Sequence, residues 1–301
     1  MTAPDHRQGG KGGQVASGQS SARNLALRVA SSVVLAPIVL FCAYIGGWSF
    51  IVLCAAGAGG ILWEWTNLVT GKADVRILAP GLAALLAAMV FTGLDYPGSA
   101  VGAIAVGALI AGAAGAVGVS RLPGAAPLSA GLWAAGGVLY AGSAFCGPAL
   151  VRRDGEWGFT ALLFLFATVW MTDIFAFGAG RAIGGPRLWP GVSPNKTWAG
   201  AVGGLGGGLA GAVAVAYASG IGALAQAAVM GLVLSVLAQA GDLFESAVKR
   251  HFGTKDTSHL IPGHGGLMDR LDGFLVAALA ALVIGVLRQG TDTPARGFLL
   301  W

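Results

Sequence analysis

The chain has 301 residues, 55% of them hydrophobic and only 10% charged, with a net charge of +5 and a mean hydropathy of +0.75. A soluble domain carries about 25% charged residues, so the composition excludes an ordinary water-soluble globule and points to lipid as the solvent. It also argues against a nucleic-acid partner, because no basic stretch interleaved with aromatics stands on a soluble segment.

Residues 1–24 are Gly, Ser, Gln and basic residues without apolar periodicity, and are expected to form a disordered cytosolic tail. No signal-peptide cleavage pattern follows, and the first apolar run is long enough to be a retained span. About nine runs of spanning length follow one another, near 25–46, 48–69, 77–94, 98–118, 128–150, 158–180, 198–218, 221–241 and 273–290. The expected fold is therefore all-α: a polytopic integral membrane protein with N-terminal transmembrane helices over 25–150 and a chemistry-bearing transmembrane region over 151–301.

The basic residues orient this map. With the N-terminus inside, the inner segments collect Arg7, Lys11, Arg23, Arg28, Lys72, Arg76, Arg121, Arg181, Arg187, Lys196, Lys249, Arg250, Lys255 and Arg270. The outer segments collect Arg152, Arg153, Arg288 and Arg296. Fourteen against four is the sign expected of the positive-inside rule. Cys42, Cys54 and Cys146 fall inside apolar runs without CxxC spacing and read as small buried side chains.

Few polar residues interrupt the spans. Glu64, in Trp63-Glu64-Trp65, and Asp173 lie at costly depths and mark either a function or a buried partner; snorkelling to the interface explains Glu64 equally well. Asp173 precedes a Gly-rich break, Gly178 to Gly185, and is expected to line a polar cavity. In the seventh span the run from Gly203 to Gly211 predicts a tight intramolecular crossing in preference to a homodimer face. No internal repeat supports an inverted-repeat transporter.

Two long inner segments, 181–197 and 242–272, gather the remaining chemistry. The second holds nine of the 31 charged side chains and three of the four histidines. Asp242 closes the eighth span, and Glu245 and Lys249 follow at helical spacing on a helix expected to run past the bilayer. Pro262-Gly263-His264-Gly265-Gly266 breaks that helix and permits close approach of a ligand. Asp269 and Asp272, three apart, share one face as the ninth span begins. Helix capping explains such acids singly. Acids from two helices, few in number, fit Mg²⁺ whose shell is completed by substrate phosphates, with Asp242 and Asp269 as the metal ligands. Lys249, Arg250, Lys255 and Arg270 would neutralise a polyphosphate, and His264, between two glycines, is the histidine placed for phosphate contact. His251 and His259 read as solvated or hydrogen-bonding. In the first segment, Ser193-Pro194-Asn195-Lys196-Thr197-Trp198 offers two hydroxyls and a lysine at the start of a helix, where phosphate oxygens bind well.

These residues resemble the phosphatidate cytidylyltransferases, also called CDP-diacylglycerol synthases. The family signature is matched by Ser246-Ala247-Val248-Lys249-Arg250, Lys255-Asp256, Pro262-Gly263-His264-Gly265-Gly266 and Asp269-Arg270-Leu271-Asp272, preceded by Gly241-Asp242-Leu243-Phe244-Glu245. Asp173 with Gly180-Arg181, and the 193–198 segment, resemble two further family motifs. The chain departs from the pattern at Asn195, Ala199 and Phe177, where the family commonly has lysine, glutamate and tyrosine. The resemblance implies CTP and phosphatidate as partners, with CDP-diacylglycerol and pyrophosphate as products. It implies Mg²⁺ as cofactor, with room for a second metal or a monovalent cation. It places a multi-pass protein in the inner (plasma) membrane, its active site facing the cytosol. On this reading Asp242, Asp269, Lys249, Arg270, Asp272 and Asp173 are catalytic. Ser193, Lys196, Thr197, Ser246, Arg250, Lys255, His264, Gly265 and Gly266 bind substrate. The rival readings are a CTP-dependent lipid-alcohol kinase, which releases CDP, a secondary transporter using Asp173 and Glu64, and a non-catalytic scaffold.

Overall fold

A computed structural model describes residues 31, 33–118, 127–258, 260 and 265–301. The expected tail over 1–24 lies outside the described residues, as do Arg121, His259 and the Pro262-Gly263-His264 stretch. Ten helices are described: α1 (Val33–Ile45), α2 (Gly47–Thr70), α3 (Val75–Gly93), α4 (Pro97–Gly118), α5 (Pro127–Arg152), α6 (Gly158–Ile183), α7 (Trp198–Ala218), α8 (Leu224–His251), α9 (Met268–Gln289) and α10 (Pro294–Leu299). Eight of these, α2 to α9, are long and apolar enough to cross a membrane. The described part of the first expected span, α1, is shorter, and the rest of that span lies outside the described residues.

The eighth span runs on to His251, as expected of a helix extending past the bilayer, carrying Asp242, Glu245 and Lys249 on continuous helix. Two other local results differ from the sequence expectation. The inner segment before α7 is not a plain loop: β1 (Arg187–Trp189) pairs antiparallel with β2 (Ser193–Thr197). Thr197 then caps α7, its Oγ1 accepting from the Gly200 amide at 3.1 Å. A short helix, α10, folds back against α9 at the other end, where the sequence predicted no element.

Small residues set the helix spacing. A Cβ added at Gly207 would run into the Met171 carbonyl oxygen of α6, and one at Gly211 would come within 2.6 Å of the Ala167 carbonyl. On the α8 side, a Cβ at Gly208 would lie 2.7 Å from Ser235 Cβ. The glycine run is thus an intramolecular crossing of α7 with both α6 and α8, where Thr172 and Ser235 hydroxyls lie 2.8 Å apart. A second close crossing joins α8 to α9. Added Cβ atoms would approach the Asp272 carbonyl (2.7 Å from Gly241) and the Ala238 carbonyl (2.9 Å from Gly273). Each of these glycines neighbours an acid, and the crossing brings Asp242 and Asp272 within electrostatic range of one another.

The two ends of the bundle are chemically distinct. At one end Arg152 donates to the Ala43 and Tyr44 carbonyls, Arg153 pairs with Asp95, and Arg296 bridges Asp154 and Glu156. These contacts join the loops expected outside. The opposite end joins the segments expected inside, and it holds the site.

Candidate active site

The segment between α8 and α9 is fastened from below by a residue of α2. Glu64 is fully buried. Its Oε1 accepts from Ser258 Oγ at 2.6 Å and the Leu267 amide at 2.7 Å. Its Oε2 accepts from the Met268 amide at 2.7 Å and Thr257 Oγ1 at 3.2 Å. Two of those donors are amides at the start of α9, where unpaired N–H groups and the helix dipole favour a carboxylate. The snorkelling reading of Glu64 is therefore corrected: an intramembrane acid stays buried because donors from the loop and from α9 satisfy it.

Asp269 fastens the same segment from its other side. Its Oδ2 accepts from the Thr257 amide at 3.1 Å, Thr257 Oγ1 at 3.0 Å and the Gly266 amide at 3.0 Å. Its Oδ1 receives Lys249 Nζ at 2.6 Å, and the same ammonium donates to Glu245 Oε1 at 2.9 Å. The triad is nearly dry, with side-chain exposures of 13% for Lys249, 9% for Asp269 and 1% for Glu245. Lys249 keeps at most one of its three donors for a substrate phosphate. Gly265 sits at φ +88°, a left-handed conformation that favours glycine, and a Cβ at Gly266 would collide with Thr257 Oγ1. The two glycines let the segment wrap closely around the Asp269 carboxylate.

A second set of charges lies across the α8–α9 crossing. Lys196, delivered by β2, pairs with Asp242. Ser246, one turn further along α8, stands 3.5 Å from the other oxygen of Asp242. Asp272 lies within electrostatic range of Asp242, Asp173 and Lys196, and Asp173 within range of Asp242 and Lys196. The three carboxylates repel one another across this crossing, and a divalent cation would offset that repulsion. Among the described residues no three His, Cys, Asp or Glu side chains are grouped to hold a metal by themselves. Hard oxygen donors in small number fit Mg²⁺ bound jointly with phosphates. In such a set Asp269 would ligate through the lone pair of Oδ1 that Lys249 leaves.

Asp173, Arg270 and Asp272 also line one end of a cavity of about 630 Å³ bounded by α1, α2, α5, α6 and α9. The rest of its wall is almost entirely apolar.

Of the expected site residues, the structure thus brings Asp173, Lys196, Asp242, Ser246, Lys249, Gly265, Gly266, Asp269, Arg270 and Asp272 to one end of the bundle. Arg250 reaches from α8 to the Val192 carbonyl at 3.4 Å and the Thr254 carbonyl at 3.1 Å, holding the hairpin beside the site. Ser193 pairs with Trp189 in the hairpin register, and Lys255 is exposed on the segment after α8. Thr197 uses its oxygen to cap α7, which leaves its O–H as a donor. His264 lies outside the described residues, and His251 stacks on Trp133 at 5.2 Å between centroids. Thr257 and Ser258 were absent from the expected set, since nothing in their local sequence marks them as partners of Glu64.

Comparison with known proteins identifies the family. The model of the cytidylyltransferase family matches residues 26–287. A phosphatidate cytidylyltransferase of Brucella suis is 38% identical over 91% of this chain and 98% of its own length. That of Brucella abortus is 38% identical over 89% of this chain and 96% of its own. The Bacillus subtilis phosphatidate cytidylyltransferase is 37% identical over a shorter region, 46% of this chain and 51% of its own length. The chain belongs to the cytidylyltransferase family, and within it to the phosphatidate cytidylyltransferases, which are nucleotidyltransferases.

Proposed function

We propose that this protein transfers the cytidylyl group of CTP to phosphatidate at the cytosolic face of the inner membrane, releasing pyrophosphate and CDP-diacylglycerol. The observation that carries the reading is a charged site, Asp173, Lys196, Asp242, Arg270 and Asp272, opening into an apolar cavity within the membrane-spanning helices. A lipid phosphate and a water-soluble nucleotide need that combination of surfaces.

A phosphate oxygen of phosphatidate forms the new bond to the α-phosphorus of CTP, while the bond to the β-phosphate oxygen breaks and its electron pair leaves on pyrophosphate. The attacking oxygen is already anionic, so no strong general base is required. The protein has two tasks: to hold two repelling anions in line, and to spread the charge growing on the leaving group. Lys196, Arg250 and Arg270 supply positive charge at the substrate phosphates, with the remaining donor of Lys249 beside them. Glu64 and the Lys249–Glu245–Asp269 triad fix the backbone that carries these groups. When bound at Asp242 and Asp269, with Asp173 and Asp272 nearby, Mg²⁺ would polarise the α-phosphate and template the displacement.

The test is pyrophosphate release by the purified full-length protein. Release should require CTP, phosphatidate and Mg²⁺ together, and chelation should stop it until Mg²⁺ is restored. Asp242→Asn should lower turnover by about 10²–10³-fold, the usual cost of losing one electrostatic contact to the reacting groups, in protein that stays folded. CDP formation without pyrophosphate would sink the transferase reading. Full Mg²⁺-dependent turnover in Asp242→Asn would remove that residue from the metal set.

A further inference from the structure

Tyr140 of α5 stands in an aromatic sandwich at the site end of the bundle. Gly137, about one turn earlier, makes the room: a Cβ there would run into the indole of Trp65, which follows Glu64 on α2. That indole is pinned by its Nε1–H, which donates to the Trp133 carbonyl at 2.9 Å. Tyr140 packs on Trp65 at 5.3 Å and on Phe244 of α8 at 6.0 Å between ring centroids. Phenylalanine would fill that space equally well, and a buried hydroxyl without a partner is costly. Yet Tyr140 Oη is buried and has no hydrogen-bond partner among the described residues.

A matching acceptor lies across the same interface. Glu245, next to Phe244, is 1% exposed and gives Oε1 to Lys249 at 2.9 Å. Its Oε2 is buried and, among the described residues, has no partner either. Tyr140 lies within electrostatic range of Glu245 and Asp272, and those two acids lie within range of each other. Three helices, α5, α8 and α9, thus bring one donor and two acceptors to the same dry place. A water that accepts from the hydroxyl and donates to Oε2 satisfies both orphaned atoms, and buried waters typically make about three such bonds.

We infer that Tyr140 is a positioning residue for the reaction: its hydroxyl donates to an enclosed water, which donates in turn to Glu245 Oε2 and, with its second hydrogen, to Asp272. The link fixes the plane of the Glu245 carboxylate. Oε1 then stays on Lys249 and Lys249 stays on Asp269 Oδ1, so the ammonium beside the carboxylate proposed for Mg²⁺ keeps its place. The inference rests on the transferase reading and adds to it a residue of the N-terminal helices, outside the signature.

Tyr140→Phe keeps the ring between Trp65 and Phe244 and removes only the hydroxyl. It should lower kcat for pyrophosphate release about tenfold, the rate equivalent of one hydrogen bond, and leave KM for CTP within about twofold. Glu245→Gln should also slow turnover, and the double variant should be no slower than Glu245→Gln alone, because hydroxyl and carboxylate act as one unit. Wild-type kcat in Tyr140→Phe overturns the inference, and so does a double variant whose loss is the product of the two single losses. Unfolding midpoints in detergent read the link without the reaction: the shifts of the two single variants should not add in the double. Non-additive midpoints in protein that releases no pyrophosphate would keep the link and refute the transferase reading, whereas additive midpoints would refute the link. Should Glu245→Gln fail to fold, a high-resolution crystal structure of the wild type decides. Density for a water within about 3 Å of both Tyr140 Oη and Glu245 Oε2 supports the inference, and a dry contact there overturns it.

Discussion

Glu64 shows how one side chain can hold a site together without belonging to the signature that marks it. Its two oxygens accept from four donors, all of them on residues 193 or more positions away in the sequence. Replacing it by alanine leaves the Ser258 hydroxyl and two α9 amides without their acceptor, each worth about 1–3 kcal/mol, while the Thr257 hydroxyl keeps Asp269. Glu64→Ala should therefore lower stability by at least about 3 kcal/mol and disorganise the segment that carries Gly265 and Gly266. The readout is the thermal unfolding midpoint in detergent at fixed scan rate, compared with wild type. An unchanged midpoint would mean that the segment is held by Asp269 alone. The sequence allowed the costly depth of Glu64 to be seen, but not its partners: a carboxylate's neighbours across the fold are a tertiary fact, and Thr257 and Ser258 have no local pattern that announces them.

Helices are the scale at which the sequence was most legible, because in lipid a backbone must satisfy its own hydrogen bonds and an apolar run of about 20 residues has few alternatives to a helix. The starts of α2 to α7 fall within about two residues of the expected spans for that reason. The β1–β2 hairpin was not legible: Ser193-Pro194-Asn195-Lys196-Thr197 has no apolar alternation, and its pairing depends on Arg187 and Trp189 across the turn. The continuation of α8 past 241 was legible, because Leu243, Phe244, Ala247 and Val248 carry the apolar helical pattern onward, and the structure takes it to His251. The glycine run was legible as a crossing, yet only the structure separates its faces. Gly207 is pressed against α6, whereas a Cβ at Gly206 meets nothing within 4 Å. Two adjacent substitutions should thus differ in sign. Gly206→Ala should stabilise by about 0.5–1 kcal/mol through helix propensity, while Gly207→Ala should destabilise by about 1–3 kcal/mol through overpacking. Equal shifts in unfolding midpoint would show that α6 and α7 are not in contact at this level.

Across the whole molecule, the charge pattern and the packing make separate statements that can be tested against each other. Packing joins the segments at 187–197, 242–258 and 265–272 at one end, with Glu64 among them, and joins Arg152, Asp154 and Arg296 at the other. The positive-inside count then assigns the first end to the cytosol, where CTP would be met. If the assignment holds, a membrane-impermeant thiol reagent applied to spheroplasts should label Gly155→Cys, in the turn before α6. It should spare Gly191→Cys, at the tip of the hairpin, until the membrane is opened. Both glycines are exposed and a side chain at either meets nothing within 4 Å, so neither substitution should disturb the fold. The native Cys54 and Cys146 are buried, and the half-buried Cys42 is replaced by serine in the background of both variants, which then serves as the unlabelled control. The reverse labelling pattern would turn the molecule over, putting the charged site outside the cell and removing its access to nucleotide. Labelling of both positions from outside would break the alternation of spans on which the shared location of the two inner segments depends. The expected pattern would place the charged site where nucleotide arrives from the cytosol and meets lipid held among the helices, so that neither substrate would have to cross the membrane.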